Sequence, residues 1–486
     1  MEAQTIGTIS PTPPGANPGG GGSIIRAVPL TLLALSAYLC GVLAIGIAMR
    51  KRAGRDEASY FLADRSLNTF WGFTGLASLT TGGSTTIALA ALVYAKGLAG
   101  IWLDLAGAIG LLLLGLFLAG RVRREGAVTL PEIVGRYYGL PARRVAAVLV
   151  LASEIVWFAL LTEATQVVLT AAFGLKPVAA IVLSTAVFAA YTSLGGQFAV
   201  VRTDLLQYGL MLVGIPGVAL ASALSGAHGL SGLPPGTWSF PTSASFGGGD
   251  VVAMLVLIGL PHLVGSDVYA KLLSCRDEAT ARRSALLAAG SKVLFGLSVA
   301  AIALAARKAL PPVAPVDALP AAVLGFAPPA LAALVLVALV ATMQTSADVV
   351  LLSAAAVTTR DIAPAFSGRP LPLAAARLLA PVYAAAGLAT ALALDRDVLE
   401  TLKLGYSIFA AGLILPVLAA LAPRRLGIPP AGAIAGMVAG GAMAVAGRFV
   451  PGLFGGTDPV IAGTGVNAGV LGAAWLVNRM RVLSSP

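Results

Sequence analysis

The chain has 486 residues, 58% of them hydrophobic and only 11% charged, with a mean hydropathy of +0.90. Such a composition excludes a water-soluble globular protein and a disordered chain, and demands a lipid bilayer as its main partner. A formal charge of +11 does not point to nucleic acid, because the basic residues gather in alternate loops between apolar stretches.

Residues 1–26 are rich in proline and glycine and read as a disordered tail outside the membrane. A peripheral transmembrane helix follows at 27–50; it is too long for a signal peptide, and Arg50, Lys51 and Arg52 follow it instead of preceding it. Apolar stretches of membrane-spanning length then recur to the C-terminus, about thirteen in all. Arg123 and Arg124 separate the third and fourth, Arg276 and Arg282 follow the seventh, Arg360 the ninth, and Arg479 and Arg481 the last. The 225–248 loop carries no Lys or Arg. The positive-inside rule therefore puts the amino terminus outside the cell membrane and the carboxyl terminus in the cytoplasm.

Two spans look interrupted. The second, GLASLTTGGSTTIALAALVY, carries Gly82 and Gly83 among hydroxyl residues, which weakens a helix at mid-span. The seventh, LIGLPHLVGSDVY, places Gly259, Pro261 and Gly265 within two turns. Breaks at matching positions of two halves point to a transporter's binding site near the bilayer midplane, although glycines also serve close helix packing. The spacing divides the chain into two inverted five-helix units, 70–224 and 249–422, and a C-terminal pair of helices with a short tail at 430–486.

Within this frame several polar residues occupy membrane positions. Span four holds Glu154, Trp157, Glu163 and Gln166, the last two one turn apart on a single face. Intramembrane acids are functional candidates, with Glu163 alternatively meeting water at the outer interface. Asp104, in span three, reads as interfacial. Between spans five and six, YTSLGGQFAVVRTDLLQYGLMLVG makes a tight turn at Gly195 and Gly196, with Asp204 and Gln207 entering the next helix. Asp204 is either a helix-start residue or a carboxylate that helps an ion leave. His262 in the seventh span's break suggests substrate contact or pH sensitivity, as against a packing role. KLLSCRDEATARR reads as a solvated cytoplasmic face. In span nine, ATMQTSADVV puts Thr342, Thr345 and Ser346 on one helical face, with Asp348 alongside. An acid at that depth costs roughly 2.5–3.5 kcal/mol even on the lenient insertion scale, so it needs a partner. Hard oxygens suit a small alkali cation; the hydroxyls could instead bond their own helix.

The segments YFLADRSLN, YTSLGGQFAVVRTDLLQYGLMLVG, KLLSCRDEATARR and ALVATMQTSADVVLLSAAAVTTRDI, in this order, resemble the sodium/solute symporter family over nearly the whole chain after residue 27. The resemblance implies an all-α integral membrane protein with the LeuT-like five-plus-five inverted repeat and discontinuous helices. It implies sodium as the coupling ion, no organic cofactor, and symport of a small organic solute. Carried over by position, the sodium site comprises Thr342, Thr345 and Ser346, completed by backbone carbonyls at the first break, best matched by Ser78 and Thr81. Asp204 and Asp348 match a second ion or proton site, and an acid at 348 departs from the hydroxyl more usual there. The substrate site then lies among Gly82, Gly83, Glu154, Trp157, Glu163, Gln166 and His262. Helix-end dipoles at the breaks favour a carboxylate, hence an organic acid or amino acid. The alternatives are a proton-coupled or ligand-sensing protein of the same fold, or a membrane-embedded enzyme with Glu154 or Asp348 as base and His262 as acid. The chain lacks HExxH, GxSxG and paired metal-ligand spacings, which argues against the enzyme.

Overall fold

Lipid offers no partner to an open backbone amide, and this chain meets that constraint with helices throughout. The computed structural model describes residues 20–225, 229–394, 397–422 and 426–484; among them the only strand-like pairings are two isolated bridges. Residues 1–19, most of the tail expected to be disordered, lie outside the described residues. In chain order the main helices are α1 Gly20–Ala53, α2 Thr69–Thr81, α3 Ser84–Lys96, α4 Trp102–Leu113, α5 Leu130–Phe173, α6 Pro177–Leu212, α7 Leu260–Val264 and α8 Ser266–Leu273. They continue with α9 Glu278–Ala309, α10 Pro329–Val357, α11 Leu373–Leu394, α12 Val398–Ala420, α13 Pro430–Phe449 and α14 Pro459–Ser484.

Eleven spans among the described residues are long and apolar enough to cross a membrane, and α2 with α3 forms a twelfth, bent by 45°. That is fewer than the thirteen expected. The difference is Pro177–Ala190, a short apolar arm of α6 that ends ahead of Gly196, where φ is 53°. Gly196 packs there against Tyr60, leaving no space for a side chain.

Local chemistry sets the helix ends. Thr129 accepts the Glu132 amide to start α5, and Gly174 ends that helix in the left-handed region. Asp277 accepts the Thr280 amide at 2.7 Å to start α9. The Thr280 amide and hydroxyl hold the exposed Asp277 carboxyl below its usual range. The TTRDI segment closes as a π turn, Thr358–Ile362, on which Asp361 accepts Arg143 Nε at 2.5 Å and Thr129 Oγ1 at 2.8 Å.

The span containing α10 is the most enclosed, 83% buried, whereas that of α1 is only 17% buried. Protein rather than lipid therefore surrounds the polar middle of α10, with α1, α2, α5, α6, α8 and α11 packed around it.

Both expected breaks are present. Gly82 is extended, and Gly83 has φ 64° and ψ −157°, a conformation open essentially to glycine alone. A Cβ on Gly83 would stand 2.8 Å from Ser346 Oγ, and one on Gly82 2.7 Å from the Ser78 carbonyl oxygen. In the seventh span the interruption falls at Gly265, which is extended between α7 and α8. Pro261 instead lies two residues past the π turn Leu255–Gly259, inside a helix that runs on through Gly259, and there it removes a backbone donor.

Gly83→Ala is expected to lose about 1–3 kcal/mol through backbone strain. Gly209→Ala, at an exposed helical position with open space around it, should gain roughly 0.5–1 kcal/mol. Equal unfolding midpoints for the two variants in detergent would refute the assignment of strain to Gly83.

Candidate functional site

Stopping α2 in the middle of the bundle leaves its last carbonyls without helical donors and its negative dipole end facing protein. Neighbouring groups converge on them. Lys292 of α9 donates to the Thr80 carbonyl at 2.5 Å and to Asp104 Oδ1 at 2.7 Å. Thr86 donates to the Thr81 carbonyl at 3.2 Å, and Ser346 Oγ lies 3.4 Å from the Leu79 carbonyl oxygen. The Gly83 amide donates to the Thr342 carbonyl at 2.8 Å, joining the break directly to α10.

On the adjoining face of α10, Thr345 Oγ1 stands 2.6 Å from Asp204 Oδ1 and 3.1 Å from Ser78 Oγ. With one proton to give, Thr345 donates it to the carboxylate. The other Asp204 oxygen accepts Lys271 Nζ at 2.5 Å, and both side chains of that ion pair are buried.

Of the residues expected at a sodium site, Thr345 thus pairs with Ser78 across the two helices, and the neighbouring Ser346 faces the Leu79 carbonyl. At the break the Thr81 and Thr342 carbonyls accept the Thr86 hydroxyl and the Gly83 amide, while the Thr81 and Thr342 hydroxyls donate to Ala77 and Leu339 carbonyls of their own helices. That is the self-bonding habit of helical threonines. Asp204 and Asp348 have separate partners, since Asp348 Oδ1 accepts Thr192 Oγ1 at 2.7 Å.

A cavity of about 50 Å³ lies beside this cluster, between the two breaks. Gly82, Gly83, Trp157, His262, Asp267, Ser346 and Tyr406 are among its lining residues. The Trp157 and Tyr406 rings meet edge to face at 4.9 Å, and the His262 ring lies parallel to Tyr406 at 6.5 Å. His262 Nδ1 is engaged with the Ile258 carbonyl at 2.8 Å. Asp267 opens α8, with one carboxylate oxygen held by the Val268 amide at 2.8 Å.

The other expected substrate residues lie outside the cavity lining. Glu154 accepts Ser353 Oγ at 2.7 Å, and Ser353 lies 3.0 Å from Ser266 at the second break. Glu163 is buried elsewhere on α5, and Gln166 donates to Thr170 one turn along its own helix.

Two sequence readings need correction. Asp104 is buried and paired with Lys292, not interfacial. The KLLSCRDEATARR segment is not simply a solvated face: Lys271 reaches the core, and the Cys275 carbonyl accepts Arg123 Nε at 2.5 Å. Sequence reasoning passed over Lys271, Lys292 and Asp267. The available signal was their position as charged residues inside otherwise apolar spans.

Comparison with known proteins adds three findings. Residues 60–233 match the model of the sodium:solute symporter family. The high-affinity choline transporter 1 of Caenorhabditis elegans is 27% identical over 265 residues, and the sodium/glucose cotransporter 4 of Danio rerio 32% over 185 residues. These alignments take in 53% and 36% of this chain but only 45% and 27% of those proteins, so the chain spans less than half the length of either relative. Among solved structures, a Na+-coupled sialic acid symporter in its substrate-bound outward-open state superposes with a TM-score of 0.75 at 18% identity, over 92% of this chain and 98% of that one. The fold is thus the LeuT-like transporter fold.

Breaking one side of a buried pair strands a charge, at a cost of about 3–5 kcal/mol. Asp104→Asn should show that loss on unfolding in detergent, and adding Lys292→Gln should restore most of it. A double variant no more stable than the single would show that the pair is not the cause.

Proposed function

We propose that this chain, whose residues 60–233 match the sodium:solute symporter family, is a secondary transporter that takes up a small organic solute on a sodium gradient by alternating access. The observation that carries this reading is the pairing of Thr345 with Ser78, and of the adjacent Ser346 with the Leu79 carbonyl, where α2 stops against α10. Hard oxygens at a negative helix end suit an alkali cation. Sodium there holds the broken helix against α10 and shapes the adjoining cavity, so ion and solute assist each other's binding reciprocally. In this scheme residues 70–224 and 249–422 act as the two inverted units, with the amino terminus outside and the carboxyl terminus in the cytoplasm.

The solute reading departs from a bare carboxylate. Asp267 sits at the start of α8, so a carboxylate already meets that helix's positive end, and the cavity gains an acid. Beside it stand Trp157 and Tyr406, whose ring faces attract cations. A solute bearing an ammonium group fits these walls, whether an amine or an amino acid. The choline transporter among the relatives accords with this choice, although the glucose cotransporter shows that the family's solutes vary. A volume of about 50 Å³ holds little more than a water or two, so the Trp157 and Tyr406 rings part when solute enters.

Thr345→Ala combined with Ser346→Ala should raise the sodium concentration for half-maximal uptake in proteoliposomes by about tenfold or more, equivalent to roughly 1.4 kcal/mol. Unchanged sodium dependence would refute this placement. Screening amines, amino acids, sugars and organic acids by sodium-dependent thermal shift should single out ammonium compounds, and Asp267→Asn should abolish that shift. A shift from simple carboxylates that survives Asp267→Asn would overturn the solute class.

A further inference from the structure

Asp204 was expected to help hold a second ion, yet a cation already stands against it. Lys271 Nζ lies 2.5 Å from Asp204 Oδ2, and the two side chains are 1% and 0% exposed. The carboxylate's other oxygen accepts Thr345 Oγ1 at 2.6 Å, so the ammonium and the candidate sodium site lie on opposite sides of one carboxylate and one hydroxyl. The surroundings are shaped for the pair. A Cβ on Gly75 of α2 would stand 3.1 Å from Asp204 Oδ2 and 3.6 Å from Lys271 Nζ, so bare backbone makes the room. Lys271 reaches in from α8, one turn after Asp267 and just beyond the Gly265 break. Asp348, the other acid expected to take part, is turned to Thr192 on α6.

We propose that the Lys271 ammonium is a tethered cation that takes the place of a second sodium ion at Asp204, leaving one exchangeable sodium at Ser78, Thr345 and Ser346. One carboxylate offers one negative charge, and Lys271 neutralises it. A sodium ion added beside the ammonium meets repulsion without a compensating anion. Because the lysine is covalently attached, its charge is not released to the cytoplasm with the solute, so each cycle carries one ion charge fewer than a site with two free ions. The Asp204 end still stabilises sodium indirectly, by fixing the Thr345 hydroxyl proton away from the ion and leaving its lone pairs for it.

This inference rests on the sodium reading above, and counting bound ions separates the two. Equilibrium binding of radioactive sodium to purified protein should give one ion per chain for the wild type. Lys271→Gln should give two, and Lys271→Gln with Asp204→Asn should return to one. Reversal potentials in proteoliposomes should give one sodium per solute for the wild type, a measurement that needs no variant to fold. Two sodium ions on the wild type by either method would overturn the proposal, as would a folded Lys271→Gln protein that gains none. A wild type that binds no sodium, with one ion gained by Lys271→Gln, would sink sodium coupling but uphold the tethered cation.

Discussion

Carbonyl oxygens stranded at the end of α2 govern the centre of this molecule. A helix that stops inside a bundle gives up donors it cannot replace from water, and each open oxygen must find a hydroxyl, an amide or a cation. Lys292, Thr86 and Ser346 answer that demand at successive carbonyls. The enclosure of α10 follows from it, because a helix carrying Thr345, Ser346 and Asp348 at mid-span is tolerable only where protein, not lipid, surrounds it.

The charges in the core are arranged with the same economy. Asp104 with Lys292 and Asp204 with Lys271 make two neutral pairs on either side of the broken helix. Pairs of this kind contribute little net stability, since desolvation offsets attraction. They do fix geometry: each lysine fits where a glycine keeps the neighbouring helix bare, Gly107 for Lys292 and Gly75 for Lys271. The charges set around α2 are thus built into the chain as neutral pairs.

Much of this was legible in the residues, for identifiable reasons. Apolar stretches report spans because the bilayer allows few alternatives, and the adjacent Gly82 and Gly83 reported a break because only glycine reaches the backbone angles found at Gly83. Thr345 and Ser346 were legible from their shared face. The place of Leu79 was not, because a contact made by a carbonyl leaves no trace in side-chain identity. Lys271 and Lys292 were passed over because their partners stand 67 and 188 positions away in the chain. A lysine near a basic loop reads as solvated until its partner is known. The Thr81 and Thr342 hydroxyls, by contrast, bond carbonyls of their own helices, which residue type alone does not reveal.

The bond from the Gly83 amide to the Thr342 carbonyl links two main chains at the one point where α2 and α3 part. No side chain takes part in it. Replacements at the cavity wall can therefore reshape the cavity without unhooking that joint. The shape of the cavity and the joint between the helices are thus written in different parts of the polymer, side chains for one and main chain for the other.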